Sequence, residues 1–210
     1  MSDTLPHLSL AETRVLGTLV EKQRTVPDTY PLSLNALAAG CNQKTSRQPV
    51  LDLGEAEILQ ALDGLKDTGL AVEVSGSRVV RFEHRLEKVL GVPTQASALL
   101  TILMLRGPQT AGELRLNCER LHRFADISSV EAFLEELAGR ELVVELPRLP
   151  GSRENRWSHL LSGQPAVEAA TAGKSGNAEI EELKNRVSAL ETEVGELRTL
   201  LTALRAELGG

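Results

Sequence analysis

Aromatic residues are scarce in this chain of 210 residues: they make up 2% of the sequence, with one Trp, one Tyr and three Phe. A hydrophobic core must therefore consist mainly of Leu, Val, Ile and Ala, and the apolar content of 41% is ordinary for a globular protein. Runs of about 18 apolar residues are also lacking, and the first residues do not form a charged-then-apolar signal pattern. We therefore expect no membrane span and a cytoplasmic location.

Cysteine is rare as well. Cys41 and Cys118 are the only two, and neither belongs to a CxxC pair. Because cytosolic thiols are kept reduced, we expect two small buried cysteines rather than a disulfide.

Catalytic and metal-binding patterns are absent from the sequence. It contains no GxSxG, HExxH or GxGxxG motif. The four histidines are scattered without the spacing of zinc ligands: His7, His84, His122 and His159. The tripeptide GKS at 173–175 lacks the earlier glycine that a phosphate-binding loop requires, because Glu168 stands there. We therefore expect no enzymatic activity, no metal and no cofactor.

Positive charge is in deficit. The chain has 23 Lys and Arg against 29 Asp and Glu, a formal net charge of -6 with a pI near 5.4. A protein that binds duplex DNA needs a concentrated basic face to displace counterions from the phosphates. The overall charge therefore counts against DNA binding unless cations cluster locally.

What the sequence does contain is an internal repeat. Residues 58–74 align with residues 130–146 at a constant offset of 72. Each copy has apolar residues at spacings of three and four and then an alternating apolar run, a pattern typical of an amphipathic helix followed by a half-buried strand. Two more helices are predicted upstream of each copy: 10–22 and 33–39 in the first, 97–106 and 111–120 in the second.

Capping signals mark the predicted helix starts. Three pairs have the spacing of a capping box, Ser9 with Glu12, Thr110 with Glu113 and Ser128 with Glu131, and Asp52 is a candidate cap for the third helix of the first copy.

A turn-like segment after each third helix predicts a second strand, over 78–82 in the first copy and 153–157 in the second. Three helices followed by a two-stranded wing make up the winged-helix variant of the helix-turn-helix, in which the third helix is the usual recognition element. We predict a mostly α protein with small β-wings, of the α+β class. It would contain two tandem winged-helix domains plus a C-terminal coiled-coil helix.

The predicted domains are a first winged helix over 1–92, a second over 93–161, a flexible linker over 162–178 and a coiled-coil helix over 179–208. Apolar residues recur at alternating spacings of three and four through this helix: Ile180, Leu183, Val187, Leu190, Val194, Leu197, Leu201, Leu204 and Leu208. The choice of Ile, Val and Leu and the attractive charge pairs favour a parallel two-stranded coil. We therefore predict a homodimer; a trimer and a helix folded back on its own domains are the alternatives.

Candidate contacts to nucleic acid fall in three places. An insertion between the second and third helices of the first copy carries Asn42, Gln43, Lys44 and Arg47 and has no acidic residue; the alternative is that it is only a polar connecting loop. The first wing carries Arg78 and Arg81. The second helix and the wing of the second copy carry Arg115, Arg120, Arg123, Arg148, Arg153 and Arg156. These arginines could instead pair with the acidic third helices.

Four long strings carry a family resemblance: YPLSLNALAAGCNQKTSRQPV, GSRVVRFEHR, RGPQTAGELR and LPRLPGSRENRWSHLLSG. Over about residues 8–163 the sequence resembles the YceH-like family of bacterial proteins, with mild departures such as Thr45-Ser46 and Cys118 inside otherwise matching strings. The resemblance implies a tandem winged-helix fold. It does not imply an activity, because fold does not determine function.

Two hypotheses follow. The first is a dimeric DNA-binding or transcription-associated protein, suggested by the doubled winged-helix pattern and its basic wings. The second is a protein-interaction module, suggested by the acidic third helices, the overall acidity and the coiled coil.

Overall fold

The computed structural model describes residues 7–74, 79–148 and 151–165. Within these residues the protein has a mixed α+β fold with seven α-helices and two small antiparallel sheets. The helices are α1 (Leu10–Thr25), α2 (Leu34–Cys41), α3 (Glu55–Asp67), α4 (Leu86–Leu90), α5 (Thr94–Arg106), α6 (Ala111–Asn117) and α7 (Ile127–Gly139). The strands are β1 (Leu32–Ser33), β2 (Ala71–Val74), β3 (Arg81–His84), β4 (Val143–Leu146) and β5 (Arg156–His159).

Both halves of the described chain have the same order of elements. In the first half α1, α2 and α3 are followed by β2 and β3, and in the second α5, α6 and α7 are followed by β4 and β5. The predicted order of helices and strands is thus confirmed. Two elements, the short strand β1 and helix α4, had no counterpart in the predicted pattern.

Two of the predicted capping boxes are confirmed, at the starts of α1 and α6. The backbone N–H of Glu12 donates to Ser9 Oγ (3.2 Å), and that of Ser9 donates to the Glu12 carboxylate (2.7 Å). Thr110 and Glu113 make the same reciprocal pair. Each box satisfies two of the amide donors that a helix start leaves unpaired.

The starts of α3 and α7 differ from the predicted ones. Gly54, not Asp52, precedes α3, and its backbone N–H donates to the Glu57 carboxylate (2.8 Å). Asp126, not Ser128, caps α7 by accepting from the N–H of Ser129 (2.7 Å). Both helix caps thus lie within two residues of the predicted ones, at a glycine without a capping side chain for α3 and at an aspartate for α7.

Each half has a two-stranded antiparallel ribbon, and the second strand of each ribbon begins later than the sequence predicted. β2 and β3 pair with Ala71 opposite His84, and β4 and β5 pair with Val143 opposite His159. The second strands therefore start at Arg81 and Arg156, three residues after the predicted starts. In the first ribbon this register turns Phe82 inward, where it is 4% exposed, and such burial is what determines strand register.

Helices α1 and α5 form the centre of the core. α5 is buried continuously from Ala96 to Leu105, as expected of a helix that is apolar on all sides. Gly17 of α1 lies against α5, and a Cβ at this position would be 3.0 Å from Cγ of Leu105. Because both halves contribute to one hydrophobic core, the described residues up to Pro165 form a single compact unit.

Arg24, near the end of α1, adds polar links to the second half. Its guanidinium donates to the carbonyls of Thr94 (3.1 Å) and Leu121 (3.3 Å) and to Ser97 Oγ (3.3 Å), and it pairs with Glu87 at 2.5 Å. One side chain of the first half thus joins backbone from α5 and from the loop after α6.

The beginning and end of the compact unit meet. The N–H of Leu8 donates to the carbonyl of Leu161 (2.6 Å), and both side chains are buried.

In the described part of the chain no helix combines the length and apolarity that crossing a membrane requires.

His84 is buried at the end of β3. Its Nδ1 accepts from the N–H of Leu86 (3.3 Å), so its Nε2 carries the proton and donates to Gln23 Oε1 (2.7 Å). Burial lowers the pKa of His84 to about 4, the nearby Glu87 opposing and Arg24 reinforcing this shift. The folded protein therefore holds this imidazole neutral.

Acidification should destabilise the protein through His84. The unfolded chain takes up a proton near pH 6.5 and the folded chain only near pH 4, so stability falls as the pH drops between these values. This shift corresponds to a loss of roughly 3 kcal/mol at most. Urea unfolding at pH 7 and at pH 4.5 should show a smaller loss for His84→Gln than for the unmodified chain, and an unchanged one for the partly exposed His122→Gln. Equal losses in all three proteins would contradict the role of His84.

Candidate macromolecule-binding surfaces

The insertion between α2 and α3 is closed from the inside. Asn42 Nδ2 donates to the carbonyl of Leu53 (2.9 Å), and its Oδ1 accepts from the N–H of Leu53 (2.8 Å). This pair of bonds joins the two ends of the insertion. The amide of Asn42, a predicted base contact, is therefore engaged in holding the loop.

Arg47, predicted as a phosphate or base contact, lies inside the fold and is 4% exposed. Its guanidinium forms a two-pronged pair with the Glu21 carboxylate (2.6 and 3.1 Å) and donates to the carbonyl of Gly40. We correct the prediction accordingly: Arg47 does not belong to an exposed surface. Glu21 is separated from it by 26 residues along the chain, so only the tertiary fold brings the pair together.

Arg14 is a second buried guanidinium beneath the insertion, at 1% exposure. It donates to the carbonyls of Cys41 (3.0 Å) and Pro49 (2.5 Å). Burial and the neighbouring charge of Arg47 lower the pKa of Arg14. Burial alone would raise the pKa of Glu21, but its hydrogen bond and charge interaction with Arg47 keep it below the usual value. The insertion is thus anchored by two arginines and one carboxylate.

The rest of the insertion is hydrogen-bonded to the end of α5 in the second half. Ser46 Oγ accepts from Arg106 (2.7 Å), and the N–H of Gln48 donates to the carbonyl of Leu105 (2.8 Å). Gln43 is half-buried and Lys44 is exposed. Of the four residues predicted here to contact nucleic acid, Lys44 alone is fully available.

Three other predicted arginines donate to backbone carbonyls. Arg81 binds the carbonyls of Thr29 and Pro31, Arg115 that of Ala125, and Arg156 that of Pro108. Their side chains are partly buried and brace neighbouring loops. Arg78 lies outside the described residues.

Four predicted arginines of the second half are exposed: Arg120, Arg123, Arg148 and Arg153. Within the part of the chain that the structure describes, none of them forms an ion pair. The first two lie in the loop between α6 and α7, and the other two flank β4 and β5. They are available to an anionic partner, as are Lys44, Arg85 and Lys88, which are exposed as well.

Both third helices expose carboxylates. The outer face of α3 presents Glu55, Asp63 and Asp67, and that of α7 presents Glu131, Glu135 and Glu136. Lys66 of α3 is bonded to Asp63 (2.8 Å), which raises the pKa of the lysine. A face of this kind repels phosphates.

The sequence patterns did not single out any exposed apolar residue, and two of those in the described residues lie on α3 and α6. Leu59 is 43% exposed on α3, and Leu116 is 70% exposed on α6. The signal for Leu59 was available: on a helical wheel it lies away from the buried Ile58, Leu62 and Leu65.

Cys41 and Cys118 are free and buried, and burial raises the pKa of the Cys118 thiol to about 12. Among the described residues no three His, Cys, Asp or Glu side chains are grouped as a metal ion would require. All nine heptad residues from Ile180 to Leu208 lie outside the described residues.

Comparison with known sequences finds close relatives. A family described as "Protein of unknown function, DUF480" matches residues 8–152. A UPF0502 protein of Dechloromonas aromatica (strain RCB) is 76% identical over 207 residues, covering 96% of this chain and 97% of the relative. UPF0502 proteins of Burkholderia pseudomallei (strain K96243) and Cupriavidus taiwanensis are 60% and 58% identical, each over 98% of this chain and over 91% and 88% of the relative.

The contrast between Arg47 and Lys44 gives a stability prediction. Arg47→Ala removes the guanidinium from the largely buried Glu21 carboxylate and leaves Lys22, at 3.3 Å, as its remaining partner, which should cost about 1.5 to 3 kcal/mol. Lys44→Ala removes an exposed side chain of the same insertion and should change stability by less than about 0.5 kcal/mol. Urea unfolding at pH 7 measures both. A loss below about 1 kcal/mol for Arg47→Ala would be too small for a buried pair and would contradict this assignment.

Proposed function

Because the chain belongs to the DUF480 family, whose description gives no activity, its function must be inferred from its surface, and we propose that it is a non-enzymatic protein-binding module. The binding face is the outer side of α3 in the first half. The observation that carries this proposal is that α3 exposes carboxylates around an apolar side chain.

We assign the fold as two tandem winged-helix units. The support is the order of three helices and a two-stranded antiparallel ribbon in each half. In such units the third helix is the element that reads a partner, and in DNA-binding members it enters the major groove. Here α3 and α7 occupy that position, so the chemistry of their outer faces bears directly on the kind of partner.

The outer face of α3 suits a protein rather than a nucleic acid. Glu55 and Asp67 are exposed at its two ends, with Leu59 between them on the same face. The lysine on this helix is neutralised by Asp63. A basic partner segment with an apolar anchor would match this arrangement, because burial of apolar surface drives most protein association and complementary charges supply specificity.

The positions of the predicted cations point the same way. Arg47 is paired inside the fold, and Arg81, Arg115 and Arg156 donate to backbone carbonyls. Phosphate contacts dominate affinity for DNA, so each engaged arginine reduces the support for a DNA-binding role.

DNA binding is the second candidate, and one observation favours it. Arg120, Arg123, Arg148 and Arg153 are exposed and form no ion pair within the described residues. Such a mode would use the α6–α7 loop and the wing of the second half, contact mainly phosphates and read little sequence.

The proposal predicts that reversing the charge of α3 abolishes partner binding. The variant Glu55→Lys with Asp67→Lys should lose a protein that the unmodified full-length chain retains from nuclease-treated lysate of its own cells. The matched control, Glu131→Lys with Glu135→Lys, makes the same charge change on α7 and should retain it. Cooperative unfolding of both variants by urea would show that they are folded.

Fluorescence polarisation with duplex DNA tests the second candidate, DNA binding. Micromolar binding at about 50 mM salt that collapses at about 200 mM, and that Arg120→Ala with Arg123→Ala weakens, would indicate phosphate contacts. That result, or a protein that is retained only when the nuclease treatment is omitted, would overturn the protein-binding proposal in favour of DNA.

We also propose that the chain forms homodimers through the heptad residues from Ile180 to Leu208. The support is the unbroken alternation of spacings and the complementary charges at the flanking positions. A dimer would present two α3 faces, and bivalent binding raises the overall affinity without any new contact.

Deletion of residues 174–210 should convert the dimer to a monomer in light scattering. The described residues up to Pro165 share one core, so the truncated chain should keep the helical circular dichroism and cooperative unfolding of that unit. A control at the outward-facing f positions of the predicted heptads, Thr192→Ala with Thr199→Ala, should remain dimeric. A truncated protein of dimer mass would contradict the heptad assignment.

A further inference from the structure

The second half carries an exposed apolar patch on α6. Leu116 is 70% exposed, more than any other large apolar side chain that the structure describes, and Ile127 is 44% exposed. Gly112 lies one turn before Leu116, and a Cβ at this glycine would be 3.8 Å from Cδ1 of Ile127. These three residues form a continuous surface, here called the α6 patch.

The fold does not require this patch. The two halves can be aligned through their second helices, because Ser33 and Thr110 are both helix caps and Cys41 and Cys118 are both buried at the helix end. Where the second half has Gly112 and Leu116, the first half has Asn35 and Ala39, and at the start of the third helix, aligned by the repeat offset of 72, Ile127 corresponds to Glu55. The same scaffold thus tolerates polar or small residues there, and the apolar side chains of the second half stabilise no packing that the first half needs.

Opposite charges lie at the two ends of the patch along α6. Glu113 and Glu154 are exposed near its N-terminal end, and a carboxylate oxygen of Glu154 would be 3.9 Å from a Cβ on Gly112. Arg120 and Arg123 are exposed beyond its C-terminal end, where Glu119 offsets one of the two charges. The patch is therefore apolar in the middle, negative at one end and positive at the other.

We propose that the α6 patch docks the α6 patch of a second copy of this chain, with the two helices antiparallel across a two-fold axis beside Leu116. This two-fold axis is perpendicular to α6 and therefore reverses the helix direction, so the arginine end of each copy faces the carboxylate end of the other. Such self-complementarity is what an interface between identical surfaces requires. The two leucines meet at the centre and lose their contact with water.

The contact depends on the dimerisation proposed above. Each partner of a standard interface buries about 800 Å² of surface, and the two apolar side chains of each copy bury far less. Dimerisation through the heptad residues compensates for this small interface area, because two linked modules have an effective concentration in the millimolar range for each other. A parallel two-stranded coil has a two-fold axis, which is the symmetry that the α6 contact needs.

Cysteine cross-linking of the full-length chain tests the proposal. Leu116→Cys places a thiol at the proposed axis, and the matched control Ala39→Cys places one at the equivalent position of the first half. The native cysteines are buried and so do not compete. With diamide as the two-electron oxidant, Leu116→Cys should form a disulfide-linked dimer at least ten times faster than Ala39→Cys, because a disulfide requires Cα atoms within about 7 Å.

A second variant and a mass measurement make each outcome decisive. Adding Ile127→Glu to Leu116→Cys should lower the rate to that of the control, because the carboxylate would be buried against an apolar surface. Equal rates for Leu116→Cys and Ala39→Cys in a sample of dimer mass by light scattering would overturn the α6 contact and leave the heptad dimer standing. A sample of monomer mass would overturn both, while binding through α3 is measured separately by the charge-reversal variants.

Discussion

The packing of α1 against α5 is the contact on which the rest of the structure depends. α5 is buried along ten consecutive residues, so it has no polar face to turn toward water and must lie at the centre of the unit. Gly17 lets the two helices approach closely, since a side chain there would meet Leu105. Arg24 then ties the end of α1 to the carbonyls of Thr94 and Leu121. What begins as a repeat in sequence is therefore one core in space, and the two halves hold each other's surfaces in position.

This shared core explains why the insertion after α2 is held inward. The loop lies over α1 and the end of α5, where Arg14 of α1 donates to the carbonyl of Pro49 and Arg47 of the loop points inward to the carbonyl of Gly40 in α2. A buried guanidinium is stable only if its donors are satisfied, and carbonyl oxygens together with the single Glu21 carboxylate fulfil that need except at Arg14 Nε. Asn42 and Arg47, whose polarity and position suggest contacts to nucleic acid, thus stabilise the insertion from within.

The two halves have diverged where the scaffold leaves them free. The caps of their second helices, their buried cysteines and their ribbons coincide, whereas the exposed positions differ: α3 presents Leu59 among carboxylates, and α6 presents Leu116 between a carboxylate end and an arginine end. Because burial constrains the first set and not the second, the differences between the copies point to the surfaces on which function depends. The two proposed contacts, one to a partner and one to a second copy, use separate halves.

The sequence by itself determined the repeat, the order of helices and strands and the capping boxes at Ser9 and Thr110, because these follow from local periodicity and from hydrogen bonds that span three residues. Strand starts and the caps of α3 and α7 were missed by a few residues, since burial of side chains such as Phe82 decides register. The sequence also shows which residues carry charge, but it does not show which of these side chains are exposed. Whether an arginine faces solvent depends on partners distant in sequence, as Arg47 and Glu21 show, and only the tertiary structure brings such groups together.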